Sequence, residues 1–131
     1  MSSREEMIAA LKSIVIPALR HRGFIGSFPH FRRLGAKQVD LITFQFDKWG
    51  GGFVVEISKC GTDGVTMPWG ERISPRKVSA HDLHPKDRFR LGSEGPSTED
   101  WYRYDRGNAP ESLAQEVVQH LDKAEKWWTG Q

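Results

Sequence analysis

Histidine and cysteine side chains are the first candidates for chemistry in this chain. His81 and His84 lie three residues apart beside Pro85, and His30 and Cys60 come from other parts of the sequence. A hydrolytic zinc helix carries two histidines four residues apart around a glutamate, which this spacing does not match. No histidine or asparagine partner is fixed for Cys60 as a nucleophile. We therefore predict no metal site, no cofactor and no catalytic residue.

Four polar side chains are candidates for a binding face. Thr43 and Gln45 alternate with apolar residues in one segment, and Glu56 and Ser58 do so in the next. A glutamine and a glutamate on neighbouring strands can hydrogen-bond a ligand or a partner. Antiparallel sheets also commonly leave one face in water, which would produce the same pattern. We predict that these four residues form a solvent-facing surface that contacts a partner.

Tryptophan is a second candidate for contact with a partner, since it is enriched at the energetic centres of protein interfaces. Trp69 lies in a segment rich in glycine and proline, and Trp127 and Trp128 are adjacent near the end of a predicted helix. Two adjacent residues cannot both point into one narrow apolar stripe. We predict an interface rim containing Trp69 and Trp128; the alternative is that the helix end packs on its own sheet.

Charge is distributed unevenly along the sequence. Residues 1–92 carry 15 Lys and Arg against 9 Asp and Glu, a net +6, whereas residues 93–131 carry 4 against 8, a net −4. Nucleic-acid-binding domains typically have a pI above about 9 and a clustered basic stripe. Here the pI is about 8.8, so nucleic acid is not the favoured partner. The basic pairs are dispersed along the chain: Arg20/Arg22, Arg32/Arg33 and Arg76/Lys77.

Two helices are predicted, one near each end of the sequence. Ser3 and Glu6 form a capping-box pattern, after which apolar residues recur every three or four positions as far as Leu19. Pro17 predicts a kink near residues 13–16, and Gly23 predicts the helix end. Asn108 and Glu111 predict the cap of the final helix, with Pro110 in its first turn. Its apolar stripe contains Leu113, Val117, Leu121, Ala124 and Trp128.

A β-hairpin is predicted between residues 41 and 58, where the apolar pattern alternates. With a turn near Trp49 and Gly50, the register pairs Phe46 with Phe53, Phe44 with Val55 and Ile42 with Ile57. A shorter strand at 28–34 precedes it, and residues 88–91 and 101–104 have the alternation of further strands. Residues 61–87 show no sustained periodicity, which indicates a long irregular loop or insertion.

These elements predict an α+β fold. The order of elements favours an antiparallel sheet of four to five strands, with an N-terminal and a C-terminal helix packed on one face. The length of 131 residues predicts a single domain over 1–131. One cysteine allows no intramolecular disulfide, and no apolar run approaches the roughly 20 residues of a membrane span. We expect a cytoplasmic protein that does not contact a membrane.

A set of short motifs, in their order and spacing, resembles a bacterial family of unknown function, the one numbered 4304. The motifs are Ile16-Pro17-Ala18-Leu19, Arg22-Gly23-Phe24, Phe31-Arg32-Arg33, Ile42-Thr43-Phe44-Gln45, Phe53-Val54-Val55, Arg90-Leu91-Gly92 and Asp100-Trp101. The resemblance spans nearly the whole chain. It implies a bacterial cytoplasmic protein with no assigned activity and supplies no catalytic residues.

Taken together, the sequence favours a non-enzymatic module that binds a protein partner. Bacterial immunity proteins, which neutralise toxins, have a comparable size and helix-on-sheet architecture, and we note an immunity-like role as a fold-level analogy. The alternative is a nucleic-acid-processing or metal-dependent enzyme that uses the loop carrying His81 and His84 together with the basic pairs.

Overall fold

The structure is a computed structural model that describes residues 3–92 and 101–130. The N-terminal helix has three parts: α1 (Arg4–Ala10), a π-helical turn (Leu11–Val15) and α2 (Ile16–His21). The capping box is confirmed, because the Glu6 amide donates to the Ser3 hydroxyl and the Ser3 amide donates to the Glu6 carboxylate. These two bonds satisfy amide donors that a helix start would otherwise leave without partners.

Where a kink near residues 13–16 is predicted, the structure has a π-helical turn over Leu11–Val15, just before Pro17. Pro17 has no amide hydrogen, so it cannot supply the usual bond to the fourth residue before it. The Ile16 amide bonds instead to the Leu11 carbonyl, five residues back. The α2 helix then ends as predicted at Gly23, whose φ of +94° reverses the chain. The Phe24 amide bonds back to Leu19, and the Phe24 ring enters the core.

Among the described residues, six strands form one antiparallel sheet. Their bounds are β1 (Ile25–Ser27), β2 (His30–Leu34), β3 (Val39–Phe46), β4 (Gly52–Cys60), β7 (Phe89–Arg90) and β8 (Tyr102–Arg103), and a separate hairpin holds β5 (Val65–Thr66) and β6 (Arg72–Ile73). The sheet order is β1-β2-β3-β4-β7, with β8 also paired to β4. The predicted hairpin register between β3 and β4 is confirmed at all three apolar pairs.

The final helix, α3, spans Pro110–Thr129. Its predicted apolar stripe is buried throughout, but the predicted cap is wrong. The residue before the helix is Ala109 and no side chain caps it. The Asn108 side-chain amide donates instead to the Arg103 carbonyl. Asn108 therefore contacts β8 and does not cap α3.

The N-terminal helix and α3 cover the same apolar face of the sheet, which confirms the predicted α+β fold. Strand residues that form this face include Phe31, Ile42, Phe44, Val55 and Ile57. Within the described residues, no helix combines the length and apolar character needed to cross a membrane.

The opposite face of the sheet is also covered. Residues 61–88, which we call the covering segment, contain the β5–β6 hairpin and two short 3₁₀ turns, Ala80–Asp82 and Pro85–Asp87. Val78 and Ala80 pack against Val39 and Leu41 in a second, smaller core. As a result, the first seven residues of β4 are buried in succession. The prediction of a largely irregular loop therefore missed its two strands and its role as a layer.

Replacing Phe44 with alanine should lower the free energy of unfolding by about 3–5 kcal/mol, the usual loss for a buried phenylalanine. The ring lies in the core against Phe28 and Phe31. Gln45, the next residue, is exposed, so Gln45→Ala should change stability by less than about 0.5 kcal/mol. Urea unfolding measures both variants. Equal midpoints would contradict the assignment of the two faces.

Candidate functional site

The four polar residues predicted to face a partner do not form an open surface. Thr43, Glu56 and Ser58 are buried, and only Gln45 is exposed. The prediction that all four face solvent is therefore wrong for three of them. These three residues are buried because the covering segment lies over this face of the sheet and excludes water from it.

Thr43 and Glu56 belong to a continuous row of polar residues that crosses four strands of the sheet. His30 of β2 is opposite Thr43 of β3, Thr43 is opposite Glu56 of β4, and Glu56 is opposite Arg90 of β7. We call these four residues the polar row. Sequence reasoning found its two central members but missed His30 and Arg90, because pairing between distant strands decides which residues become neighbours.

Glu56 is the acid at the centre of the polar row, and its side chain is only 8% exposed. Its Oε1 lies 3.3 Å from His81 Nε2 and 3.7 Å from Arg88 Nη1, and its Oε2 lies 3.8 Å from Arg90 Nε. A carboxylate removed from water is costly unless basic groups surround it. Two of these groups, His81 and Arg88, belong to the covering segment, so Glu56 joins that segment to the sheet.

Two histidines meet beside this acid. His30 Nδ1 and Thr43 Oγ1 lie 3.1 Å apart, within hydrogen-bond distance. The His30 and His81 ring centroids are 5.7 Å apart, with the rings inclined at 77°. Burial lowers the pKa of His30 below its ordinary value, and the nearby His81 and Arg32 lower it further, against the effect of Asp82. The neutral form of His30 is therefore favoured in the folded protein.

Ser58 connects the layers on both sides of the sheet. Its hydroxyl donates to the Asp87 carbonyl at 2.8 Å, in the covering segment. Its own carbonyl accepts a bond of 2.9 Å from the Trp128 indole N–H, on α3. Buried polar groups need such partners, and here the partners come from opposite layers. Ser58 therefore has a structural role and is not a free contact residue.

Trp128 is not at an interface rim, which corrects that prediction. Its ring is 1% exposed and packs 5.2 Å from Phe24, centroid to centroid. The Arg33 guanidinium lies over it and bonds to both oxygens of Glu125 at 2.9 and 2.6 Å. Trp127, the adjacent residue, is half-buried, so it is the one of the two tryptophans that reaches the surface.

Trp69 remains a candidate contact residue, since its side chain is 70% exposed at the tip of the β5–β6 hairpin. Its indole N–H donates to Glu71 Oε1 at 3.2 Å. Trp49, in the turn between β3 and β4, is 85% exposed. Sequence reasoning treated Trp49 as a turn residue only, and its position at a hairpin tip was the signal that could have identified it.

Two of the three basic pairs, Arg20/Arg22 and Arg32/Arg33, have partners within the protein, whereas Arg76 and Lys77 are exposed. Arg33 bonds to Glu125 and Asp40, which raises the pKa of Arg33 and lowers that of Glu125. Arg22 pairs with Asp122 and Glu125, and Arg32 donates to the Val78 carbonyl at 2.8 Å. These arginines therefore hold the fold together and do not line a groove for a phosphate chain.

The structure does not bring His81, His84 and Cys60 together as a reactive group. His81 turns towards Glu56, whereas His84 Nδ1 accepts a bond from the Lys86 amide. Burial and the charge of Asp40 raise the pKa of the Cys60 thiol, which disfavours the nucleophilic thiolate. Across residues 3–92 and 101–130, no three His, Cys, Asp or Glu side chains are grouped to hold a metal ion.

The architecture and the polar row define a small α+β protein with helices on one sheet face and a covering segment on the other. A family model described as a domain of unknown function, DUF4304, matches residues 15–131. The chain belongs to the DUF4304 family, as its sequence motifs predict. No curated protein and no solved structure gives a significant match.

The His30 environment predicts how stability depends on pH. Because the folded pKa of His30 lies below the unfolded value of about 6.5, the unfolded chain binds more protons between the two values, and stability falls as pH decreases through that window. Between about pH 7 and pH 5, His30→Gln should therefore lose less stability than the wild type. Urea unfolding across this range measures the two slopes.

The matched control for this measurement is His21→Gln, which changes an exposed histidine at the end of α2. The control should keep the wild-type slope. The loss of the contact with Thr43 can change the overall stability of His30→Gln without changing its pH dependence. If the free energy of unfolding of His30→Gln has the same slope against pH as the wild type, burial does not lower the pKa of His30.

Proposed function

We propose that this protein is a non-enzymatic module that binds a protein partner through the tip of the β5–β6 hairpin. The observation that supports this function best is the large exposure of Trp69 on an ordered turn. A tryptophan ring buries about 150–250 Å² when it is covered. Because the Trp69 ring is exposed in the free protein, the free energy gained by burying it can stabilise a complex.

The turn that carries Trp69 is ordered before any partner arrives. The Gly70 amide donates to the Met67 carbonyl at 2.8 Å, and the Met67 amide donates to the Glu71 carbonyl at 2.7 Å. Gly70 has a φ of +97°, a conformation that favours glycine. Pro68 fixes a further backbone angle. Little conformational entropy is then lost when this apolar tip enters a partner's pocket.

The base of the hairpin is anchored to the rest of the protein. Val65 and Ile73, which pair across β5 and β6, pack against the second core formed by Val39, Leu41, Val78 and Ala80. The tip is thus a projection on a fixed base. Binding residues are commonly placed this way, on a loop that a rigid scaffold positions.

An immunity-like role is the specific form of this function that we put forward. In that form the partner is a toxin, and the module blocks it by occupying its surface. Comparable size and a helix-on-sheet architecture support this role by analogy only. A cytoplasmic location goes with it, supported by the single cysteine, Cys60, which forms no disulfide within the chain.

A second candidate function, nucleic-acid processing, is favoured by a different observation. His30 and His81 lie beside Glu56 and Arg90, and such a set can transfer protons next to a phosphate group. However, the cavities described in this structure are lined by other residues, and Thr43 and Glu56 are buried. The geometry therefore supports protein binding better.

Trp69→Ala should weaken partner binding by at least about 30-fold, since truncating an interface tryptophan typically costs about 2 kcal/mol or more. Its urea midpoint should match that of the wild type, because the ring is exposed. The measurement is affinity capture with tagged chain from cells that express it naturally, followed by the Kd of each recombinant captured protein.

Trp49→Ala is the matched control, because it removes a tryptophan of even larger exposure, 85% against 70%, from a different hairpin. This variant should capture the same proteins with wild-type affinity. If Trp69→Ala also binds every captured protein as tightly as the wild type, the hairpin tip is not the contact surface.

A further inference from the structure

A groove of about 560 Å³ lies between the end of the covering segment and the C-terminal turns of α3. Its lining includes Leu83, Phe89 and Trp127 as apolar residues, and Lys59, Lys86 and Arg88 as basic residues. We call it the Trp127 groove. It uses none of the residues of the polar row or of the Trp69 hairpin tip, so it is a separate candidate site.

The floor of the groove is aromatic. The Phe89 and Trp127 ring centroids are 6.1 Å apart and the ring planes are inclined at 24°. Both rings are only partly buried, although both also contact the main core. The floor is therefore held by the core on one side and presents apolar surface to the groove on the other. An apolar side chain packed there would be withdrawn from water.

The rim of the groove carries the positive charge. Arg88 is occupied internally, since it donates to the Leu83 and His81 carbonyls and lies near Glu56. Lys59 Nζ lies 5.1 Å from the Trp127 ring centroid and donates to the Trp128 carbonyl at 3.4 Å. Lys86 is exposed on the 3₁₀ turn and can turn towards a ligand, whereas Lys59 would exchange its long internal bond for one to a carboxylate. Of the described residues that line the groove, Asp87 is the one acid against three basic residues, so the groove favours an anionic ligand.

The shape of the groove favours a chain segment over a small molecule. Small-molecule sites enclose most of the ligand surface, whereas this groove is partly open to solvent. A stacked nucleic-acid base is disfavoured, because single-strand binders stack bases on exposed aromatic rings, whereas Phe89 and Trp127 are partly buried against the core. A peptide can place one apolar side chain on the floor and carboxylates on the rim.

We propose that the Trp127 groove binds an acidic peptide segment of a protein partner. An apolar side chain of that segment packs against Phe89 and Trp127, and its carboxylates pair with Lys59 and Lys86. This inference rests on the proposed function, protein binding. It adds that the partner carries an acidic segment, and that this segment binds a surface separate from the Trp69 hairpin tip. Charge pairs at such a rim mainly set specificity and the rate of association.

The test is selection of a random peptide library on the immobilised full chain, followed by titration of the enriched fluorescein-labelled peptides. We expect an enriched family with several acidic residues around an apolar one. Lys86→Glu should weaken its binding by about tenfold, and added salt should weaken wild-type binding. In NMR spectra, the peptide should shift the Trp127 indole signal.

Lys37→Glu is the matched control, because it makes the same charge change at an exposed lysine in the β2–β3 turn. It should bind the peptides as the wild type does. Lys86 is also exposed, so both variants should fold, and their urea midpoints check this.

Three results would overturn the inference: no acidic family is enriched, the enriched peptides bind Lys86→Glu as tightly as the wild type, or an oligothymidylate displaces them. Loss of peptide binding in Trp69→Ala would also overturn it, by assigning the peptides to the hairpin tip. If peptide binding does not depend on the groove but the capture of partners still depends on Trp69, the proposed function stands and only the assignment of the groove is wrong.

Discussion

The buried carboxylate of Glu56 constrains the layer of chain that lies above it. The covering segment removes this acid from water, and a carboxylate in such a place needs basic groups nearby. His81 and Arg88 of the covering segment and Arg90 of β7 provide them. The acid and the covering segment therefore depend on each other: the segment buries the charge, and the charge gives the segment a fixed attachment point on the sheet.

Both proposed binding surfaces follow from this attachment. The Trp69 hairpin projects from the covering segment, and the Trp127 groove lies where that segment meets α3. Two further bonds hold the segment, one from Ser58 to the Asp87 carbonyl and one from Arg32 to the Val78 carbonyl. The helices on the other face supply the larger core, and α3 also contributes Trp127 to the proposed groove.

The sequence was sufficient to predict elements whose signals are local. Alternation around Phe44 and Val55 defined the register of the hairpin, because a shift by one residue would have turned its apolar side chains away from the core. The alternation at Thr43 and Glu56 was wrongly interpreted as a solvent-facing surface. A sheet face covered by a polar layer of chain has the same alternation of polar and apolar residues as a face in water. The Gly- and Pro-rich segment after Cys60 contains no local signal that it packs on the sheet. The burial of Thr43 and Glu56 and the groove at Trp127 both depend on that packing, so neither could be predicted.

Amide hydrogen exchange of Glu56→Gln tests most directly whether this carboxylate holds the covering segment on the sheet. The substitution keeps the size of the side chain and removes its charge. Exchange should become faster in residues 78–88 while the amides shared by β3 and β4 keep their wild-type protection, since segments with weakened attachment open locally. Wild-type protection throughout residues 78–88 would contradict the account.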